Sequence, residues 1–237
     1  IYVSTNVDYL PLVYEQLPQI DDEHILEEPI RRGTLASVAW STVEVAKRDP
    51  QGCLLVTPAD QLILNEPQFQ HDMTDALGFA VRKEGIVITG IAPTRPETGY
   101  GYIQADLSTS SPRNKEIFRV DRFREKPNLE TAQKYIQESN FFWNAGIFLW
   151  NVETIVNAFR VYQPSLSKVF EGMLDILGTP QEQETVDRLY PECENISVDY
   201  AIMEKAEEIF VCPADFGWSD LGTWGSLHEQ TPRDLYG

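Results

Sequence analysis

Apolar and polar positions switch repeatedly between a strand-like and a helical period along the first half of the chain. IYVST at the start reads as a strand, an amphipathic stretch follows to Leu17, and HILEE is a second strand. Helical spacing then runs from Thr34 to Lys47. CLLVT, Cys53 to Thr57, is continuously apolar, which predicts a buried central strand. A helix from about Pro67 to Arg82 and the strand GIVITGI, Gly85 to Ile91, complete this half. Such alternation predicts an α/β fold whose sheet is mixed, mainly parallel and flanked by helices, doubly wound in this half.

After Pro96 the pattern changes. GYGYIQADL and FRVDRFREKP are two strand-like runs joined by the polar STSSPRNKE linker, which predicts a hairpin or mixed-sheet extension. NLETAQKYIQES, Asn128 to Ser139, is a capped helix, and FFWNAGIFLW is a second buried strand. Helical patterns dominate from Val152 to Leu189, SVDYAIMEKAEE adds one more, and IFVCP is a final strand. Without repeats, low-complexity tracts or a long linker, residues 1–237 are expected to form a single catalytic-size domain.

Charge narrows the partners. With 19 Lys and Arg against 37 Asp and Glu, the net charge of -18 argues against non-specific binding to nucleic acid or to an anionic membrane, so an anionic substrate needs a local cationic pocket. Cys53, Cys193 and Cys212 form no CxxC pair, and His24, His71 and His228 are scattered, which suits a reducing cytoplasm better than a disulfide framework or a zinc site. No apolar run approaches the ~18 residues that span a membrane. A strand-like run at residue 1 with no initiator Met leads us to expect an interior piece of a longer protein.

Six stretches carry candidate chemistry. In FGWSDLGTWGSLHE, Asp220 stands between two tryptophans and two glycines. It meets a cation there, or else Ser219 or Asp220 caps a helix starting near Gly222 with Trp218 and Trp224 in the core. In PADQ, Asp60 follows an apolar strand, where open α/β sheets bind ligands, although a turn aspartate fits equally. Two such acids can share one Mg²⁺ with a phosphate substrate. FREKP sets Glu125 beside Lys126 at a strand end, as a phosphate and hydroxyl contact or as a solvated ion pair. RPETGYGYI offers Glu97, Gly99, Gly101 and tyrosine walls, or a tight turn. WNAG adds Asn144, and SVDYAIMEK adds Asp199 at a helix start, where capping alone would explain it.

In order and approximate spacing, PADQ, RPETGYGYI, FREKP, FWNAGIF, SVDYAIMEK and WSDLGTW resemble the mannose-1-phosphate guanylyltransferases over nearly the whole chain. The resemblance implies a Rossmann-like nucleotidyltransferase domain that converts mannose 1-phosphate and GTP into GDP-mannose and pyrophosphate with Mg²⁺. It is compatible with a homodimer. It further implies that Asp60 and Asp220 hold the metal and that Lys126 meets the sugar phosphate. Glu97, Gly101, Glu125 and Asn144 would line the sugar site, with Asp199 nearby, and Glu28, Pro29 and Thr34 of EEPIRRGT would surround the guanine. On this basis the nucleotide part covers about 1–95 and the sugar-phosphate part about 96–237.

The chain also departs from the family pattern. The family's glycine-rich phosphate loop is not in the sequence, so the chain as it stands is expected to bind GTP poorly and turn over little. Gly33 stands in RRGT where the family more usually has Asn, Gln61 stands where His is frequent, and Ala145 where Ser is common. A pyrophosphorylase for another sugar or base, such as a glucose-1-phosphate thymidylyltransferase, is the nearest rival. A non-catalytic sugar-nucleotide sensor would have no need of Asp60, Lys126 and Asp220 together, and glycoside hydrolysis would leave Lys126 unexplained.

Overall fold

The structure is a computed structural model and describes residues 1–82, 85–109 and 116–231. Positions 110–115 of the STSSPRNKE linker lie outside the described residues. In chain order the elements are β1 (Val3–Asn6), α1 (Leu10–Gln16), β2 (Ile25–Glu28), α2 (Gly33–Arg48), β3 (Cys53–Val56), β4 (Leu62–Ile63), α3 (Glu66–Arg82) and β5 (Ile86–Ile91). They continue with β6 (Tyr102–Asp106), β7 (Phe118–Arg124), α4 (Leu129–Tyr135), β8 (Phe141–Asn151), α5 (Val152–Tyr162), α6 (Pro164–Glu171), α7 (Glu182–Leu189), β9 (Ile209–Ala214), β10 (Trp218–Ser219) and α8 (Trp224–Gln230). Among the described residues no helix is long and apolar enough to cross a membrane.

The chain divides into two compact units, each discontinuous in sequence. The first comprises Ile1–Leu54 and Asn151–Glu207. Its β1 and β2 pair in parallel from Val3 with Ile25 to Asn6 with Glu28. Helix α2 buries Leu35, Ala36, Val38, Ala39, Trp40 and Val43 on one face, and its last turn carries Lys47 and Arg48, the charge that suits a helix C-terminus. Asn151 caps α5 by accepting from the Thr154 N–H at 2.7 Å. The expected SVDYAIMEK helix is a single wide turn over Asp199–Met203, and Val198, not Asp199, occupies its N-cap position.

The second unit comprises Leu55–Trp150 and Glu208–Gly237. Its core joins Met73, Ala76, Phe79 and Ala80 of α3 to Val87, Ile147, Leu149 and Cys212 of the sheet. The six-stranded sheet has the order β3-β8-β5-β9-β7-β6, with β8 also pairing β6. The sheet is mixed, as expected, but less parallel than expected. Among the described registers β5–β9 is parallel, whereas β5–β8, β6–β7, β6–β8 and β7–β9 are antiparallel. A strand buried on both faces reads as one apolar run whichever way it points, so FFWNAGIFLW could not reveal that β8 is antiparallel. CLLVT likewise reads as central, yet β3 ends the strand order and only Leu54 within it is buried.

Candidate active site

Glu125 and Lys126 lie in the bend just beyond β7, not on the strand itself. Lys126 has φ 44°, a left-handed backbone that a side-chain-bearing residue rarely adopts. That left-handed residue ends the strand and its regular alternation of side chains. Glu125 is buried, Lys126 is 55% exposed in its side chain, and their charged atoms still approach to 3.3 Å. Gly101 explains where Glu125 goes. A Cβ on Gly101 would stand 2.5 Å from Glu125 Oε2 and 3.2 Å from the Asn144 Cβ, so only glycine lets these two side chains converge. The Asn144 N–H donates to the Gly101 carbonyl at 2.8 Å, and the Asn144 Oδ1 accepts from the Gly146 N–H at 2.9 Å. Three expected sugar-site residues therefore share one corner, fixed by β6 meeting β8.

Glu97 belongs to the loop that leads into this corner. Its Oε1 accepts from the N–H groups of Thr98 (2.9 Å) and Gly99 (3.0 Å), and its Oε2 accepts from Arg95 Nε at 3.3 Å. Partial burial pushes its pKa up, but the Gly99 N–H, the Arg95 guanidinium and the Thr98 N–H together outweigh it and hold the carboxyl below its ordinary value. Arg95 was not anticipated as a site residue. Its guanidinium lies 5.4 Å from the Trp143 ring, and it borders a cavity of about 370 Å³ whose walls include Tyr100, Trp143, Trp218, Ser219 and Ser226. An arginine two residues before an acid, in a loop after a buried strand, was the available signal.

Asp220 does not cap a helix. The helix begins later, at Trp224, where Thr223 and Ser226 form a reciprocal capping box. Trp224 is 87% exposed and not in the core, while Trp218 is half-buried. With the capping duty filled elsewhere, Asp220 is held by other means. Tyr100 Oη donates to Asp220 Oδ1 at 2.5 Å. Leu221 takes φ 51°, and a Cβ on Gly222 would sit 2.5 Å from Asp220 Oδ2. The glycine of WSDLGTW is thus explained by the carboxylate it faces. Desolvation, followed by the hydrogen bond to Asp220 and its charge, pushes the Tyr100 phenol well above its ordinary pKa, so it remains a donor.

Asp60 is exposed in the turn after β3. Its link to Asp220 runs through the β4–β10 ladder, where Leu62 pairs with Ser219 and Ile63 with Trp218, antiparallel. Continued one step, that register sets Gln61 opposite Asp220, which brings Asp60 and Asp220 to the same end of the ladder. Gln61 Nε2 donates to the Ala145 carbonyl at 2.5 Å, tying PADQ to WNAG. The two positions that depart from the family pattern there touch one another. No group of three or more His, Cys, Asp or Glu side chains able to hold a metal is present among the described residues. Two carboxylates completed by phosphate oxygens are nevertheless a usual Mg²⁺ donor set, so Asp60 and Asp220 are of the chemistry that would suit that ion.

The remaining expected residues lie in the first unit. Glu28 is buried, and its carboxylate accepts from Ser4 Oγ at 2.7 Å and Tyr190 Oη at 2.8 Å. Pro29 follows it in a half-buried bend. Thr34 is exposed, and its Oγ1 accepts from the Val198 N–H at 3.0 Å, one residue before Asp199. Gly33 has φ 69°, and a Cβ there would lie 2.6 Å from the Ile196 carbonyl oxygen. Within this unit RRGT therefore packs against the Ile196 backbone and, through Thr34, holds the SVDY backbone, a juxtaposition that no local pattern signals.

An α/β fold that sets carboxylates and an ammonium just beyond its strand ends, with the Asn144 amide inside β8, has the architecture of nucleotide-handling proteins. The chain belongs to the nucleotidyl transferase family, whose pattern matches residues 2–236. It is 36% identical over 99% of its length to a mannose-1-phosphate guanylyltransferase of Salmonella montevideo, and 34% identical over 96% to one of Escherichia coli K12. It covers 50% and 48% of those proteins, so the chain spans about half the length of the curated relatives it matches. A Thermus thermophilus structure described as a mannose-1-phosphate geranyltransferase superposes with a TM-score of 0.82 at 30% identity, covering 98% of this chain and 64% of that one. A Helicobacter pylori structure described as a mannose-6-phosphate isomerase shares the fold, with a TM-score of 0.75 at 22% identity over 92% of this chain and 83% of that one.

Proposed function

We propose that the protein carrying this chain transfers GMP from GTP to mannose 1-phosphate, giving GDP-mannose and pyrophosphate. The observation that carries this reading is the convergence of Glu125 and Asn144 on Gly101, in the same unit as Asp60, Lys126 and Asp220. Hydroxyl acceptors, an ammonium and two carboxylates in one unit suit a sugar phosphate and a bridging cation. The names of the relatives point the same way.

The sugar phosphate needs no general base, because a phosphate monoester with a second pKa near ~6 is already largely ionised at neutral pH. Its oxygen attacks the α-phosphorus in line and pyrophosphate leaves. No covalent enzyme intermediate is required. Lys126 holds the sugar phosphate as a point charge, while Glu125 and Asn144 orient the sugar hydroxyls and the Gly101 backbone limits how the ring can sit. Asp60 and Asp220 would hold Mg²⁺, which when bound draws charge from the phosphate oxygens. Glu28, Pro29 and Thr34 belong to the base side of the reading and Asp199 to the sugar side.

Pyrophosphate release with Mg²⁺ and mannose 1-phosphate, compared among GTP, dTTP, UTP and ATP, tests the proposal. GTP is expected to be preferred. Faster release with dTTP would transfer the assignment to a thymidylyltransferase, and the absence of release with all four nucleotides would refute it.

A further inference from the structure

We infer that Tyr100 is a positioning residue that fixes the Asp220 carboxylate for metal binding, an inference that rests on the reading of Asp220 as a metal ligand. Four observations converge on it. Tyr100 Oη and Asp220 Oδ1 are 2.5 Å apart although 120 positions separate them in sequence, so the pairing is a product of tertiary structure. The phenol ring is itself fixed by two edge-on tryptophans, with Trp143 at 5.2 Å and 82° and Trp218 at 5.5 Å and 72°. Trp143 is in turn covered by the Arg95 guanidinium at 5.4 Å. On the far side of the carboxylate, the space beside Oδ2 is kept open because residue 222 is glycine, and Leu221 holds the turn in a left-handed conformation.

The arrangement gives the two carboxylate oxygens different duties. Oδ1 accepts from a hydroxyl whose oxygen cannot move away without displacing the aromatic rings beside it. Oδ2 faces a backbone with no side chain of its own. A carboxylate free to spin about its last bond would have to lose that freedom on binding a cation. Here the loss is already met in folding, which is how partners behind a metal ligand raise its affinity. Tyr100 touches neither the sugar nor the nucleotide in this scheme and acts only through Asp220.

Tyr100→Phe tests the inference, since it keeps the ring and removes only the hydroxyl. Binding of Mn²⁺ in the presence of GTP, followed by the electron paramagnetic resonance of the free ion, is read alongside turnover. Loss of the hydroxyl is expected to weaken Mn²⁺ binding about 10-fold, within the ~10- to 100-fold typical of partners behind a ligand, and to lower kcat similarly. The KM for mannose 1-phosphate is expected to stay within about twofold, since such a partner tunes the ligand and not the substrate contacts. Unchanged Mn²⁺ binding in the folded variant would overturn the inference even if turnover fell. If Asp220→Asn also left Mn²⁺ binding unchanged, the assignment of Asp220 as a ligand would fail, and the positioning role with it. Weaker binding in both variants without transfer activity in the parent protein would refute the functional reading alone.

Discussion

The two units use similar polar residues to opposite ends. In the first, Glu28 is buried and its carboxylate is taken up by Ser4 and Tyr190, Thr34 ties down the Val198 amide, and Gly33 exists to clear the Ile196 backbone. In the second, the glycines beside the expected site residues clear side chains. Gly101 makes room for Glu125, and Gly222 makes room for Asp220. The strain is distributed accordingly. Among the described residues the two non-glycine positions with positive φ are Lys126 and Leu221, one an expected phosphate contact and the other adjoining Asp220. Unfavourable backbone kept beside polar side chains is a mark of function, whereas polar groups satisfied by their own fold mark stability.

The comparison breaks most sharply at Asp220. Asp220→Asn is expected to lower pyrophosphate release on the order of 10³-fold, by analogy with loss of one preorganised charge-stabilising group, while the melting temperature stays within a few degrees. A variant with normal turnover would remove Asp220 from the catalytic apparatus.

Gly101→Ala comes next. The new methyl meets the flexible end of Glu125 at 2.5 Å, so the fold can yield but the sugar contact cannot. Turnover should fall roughly 10²-fold, the cost of misplacing a binding group by about 1 Å, with little thermal destabilisation. Equal losses in activity and melting temperature would show that the corner is structural.

Gly33→Ala should behave in the reverse way. Its methyl would meet the Ile196 carbonyl oxygen at 2.6 Å, and its φ of 69° is unfavourable for alanine. That φ alone costs about 1–2 kcal/mol, which lowers the melting temperature of a chain this size by at least ~2–4 °C. Thermal melts and the pyrophosphate assay on the pair Gly33→Ala and Gly101→Ala would separate the units directly.

The smallest effect concerns a buried acid in the first unit. Burial, with the facing Glu182 carboxylate adding to it, pushes Glu44 up to about 7, while Trp40 and Lys47 pull only weakly the other way. A folded-state value above the unfolded one means the native chain holds the proton more tightly. Stability is therefore lost as pH rises from about 4.5 to about 7. Glu44→Gln should flatten that dependence and raise the melting temperature at pH 8 by about 2–4 °C, the change expected for ~1 kcal/mol. A melt whose pH slope is unchanged in the variant would assign the slope to other groups.

Much of the fold was legible because period and caps are local. The Thr34 to Lys47 pattern became α2, Asn128 caps α4 as NLETAQKYIQES predicts, and β6 and β7 do pair as a hairpin. Strand direction was not legible, because an apolar run carries no arrow. The start of α8 was misplaced because Ser219 and Asp220 suit an N-cap as well as Thr223 does, and the reciprocal partner that decides for Thr223 is a serine, Ser226, three residues on.

The sequence by itself determined the family, the order of elements and which residue types carry the chemistry, since these follow from local composition, spacing and length. Only the tertiary structure decided which polar groups are spent on the fold and which are held for a ligand. Glu28 and Asp220 are both acids beside strand ends, and nothing local tells them apart. The difference comes from partners far away in sequence: Ser4 and Tyr190 satisfy the first, while Tyr100 holds only one oxygen of the second. Hydrogen bonds of that reach depend on three-dimensional placement, which no spacing along the chain encodes by itself.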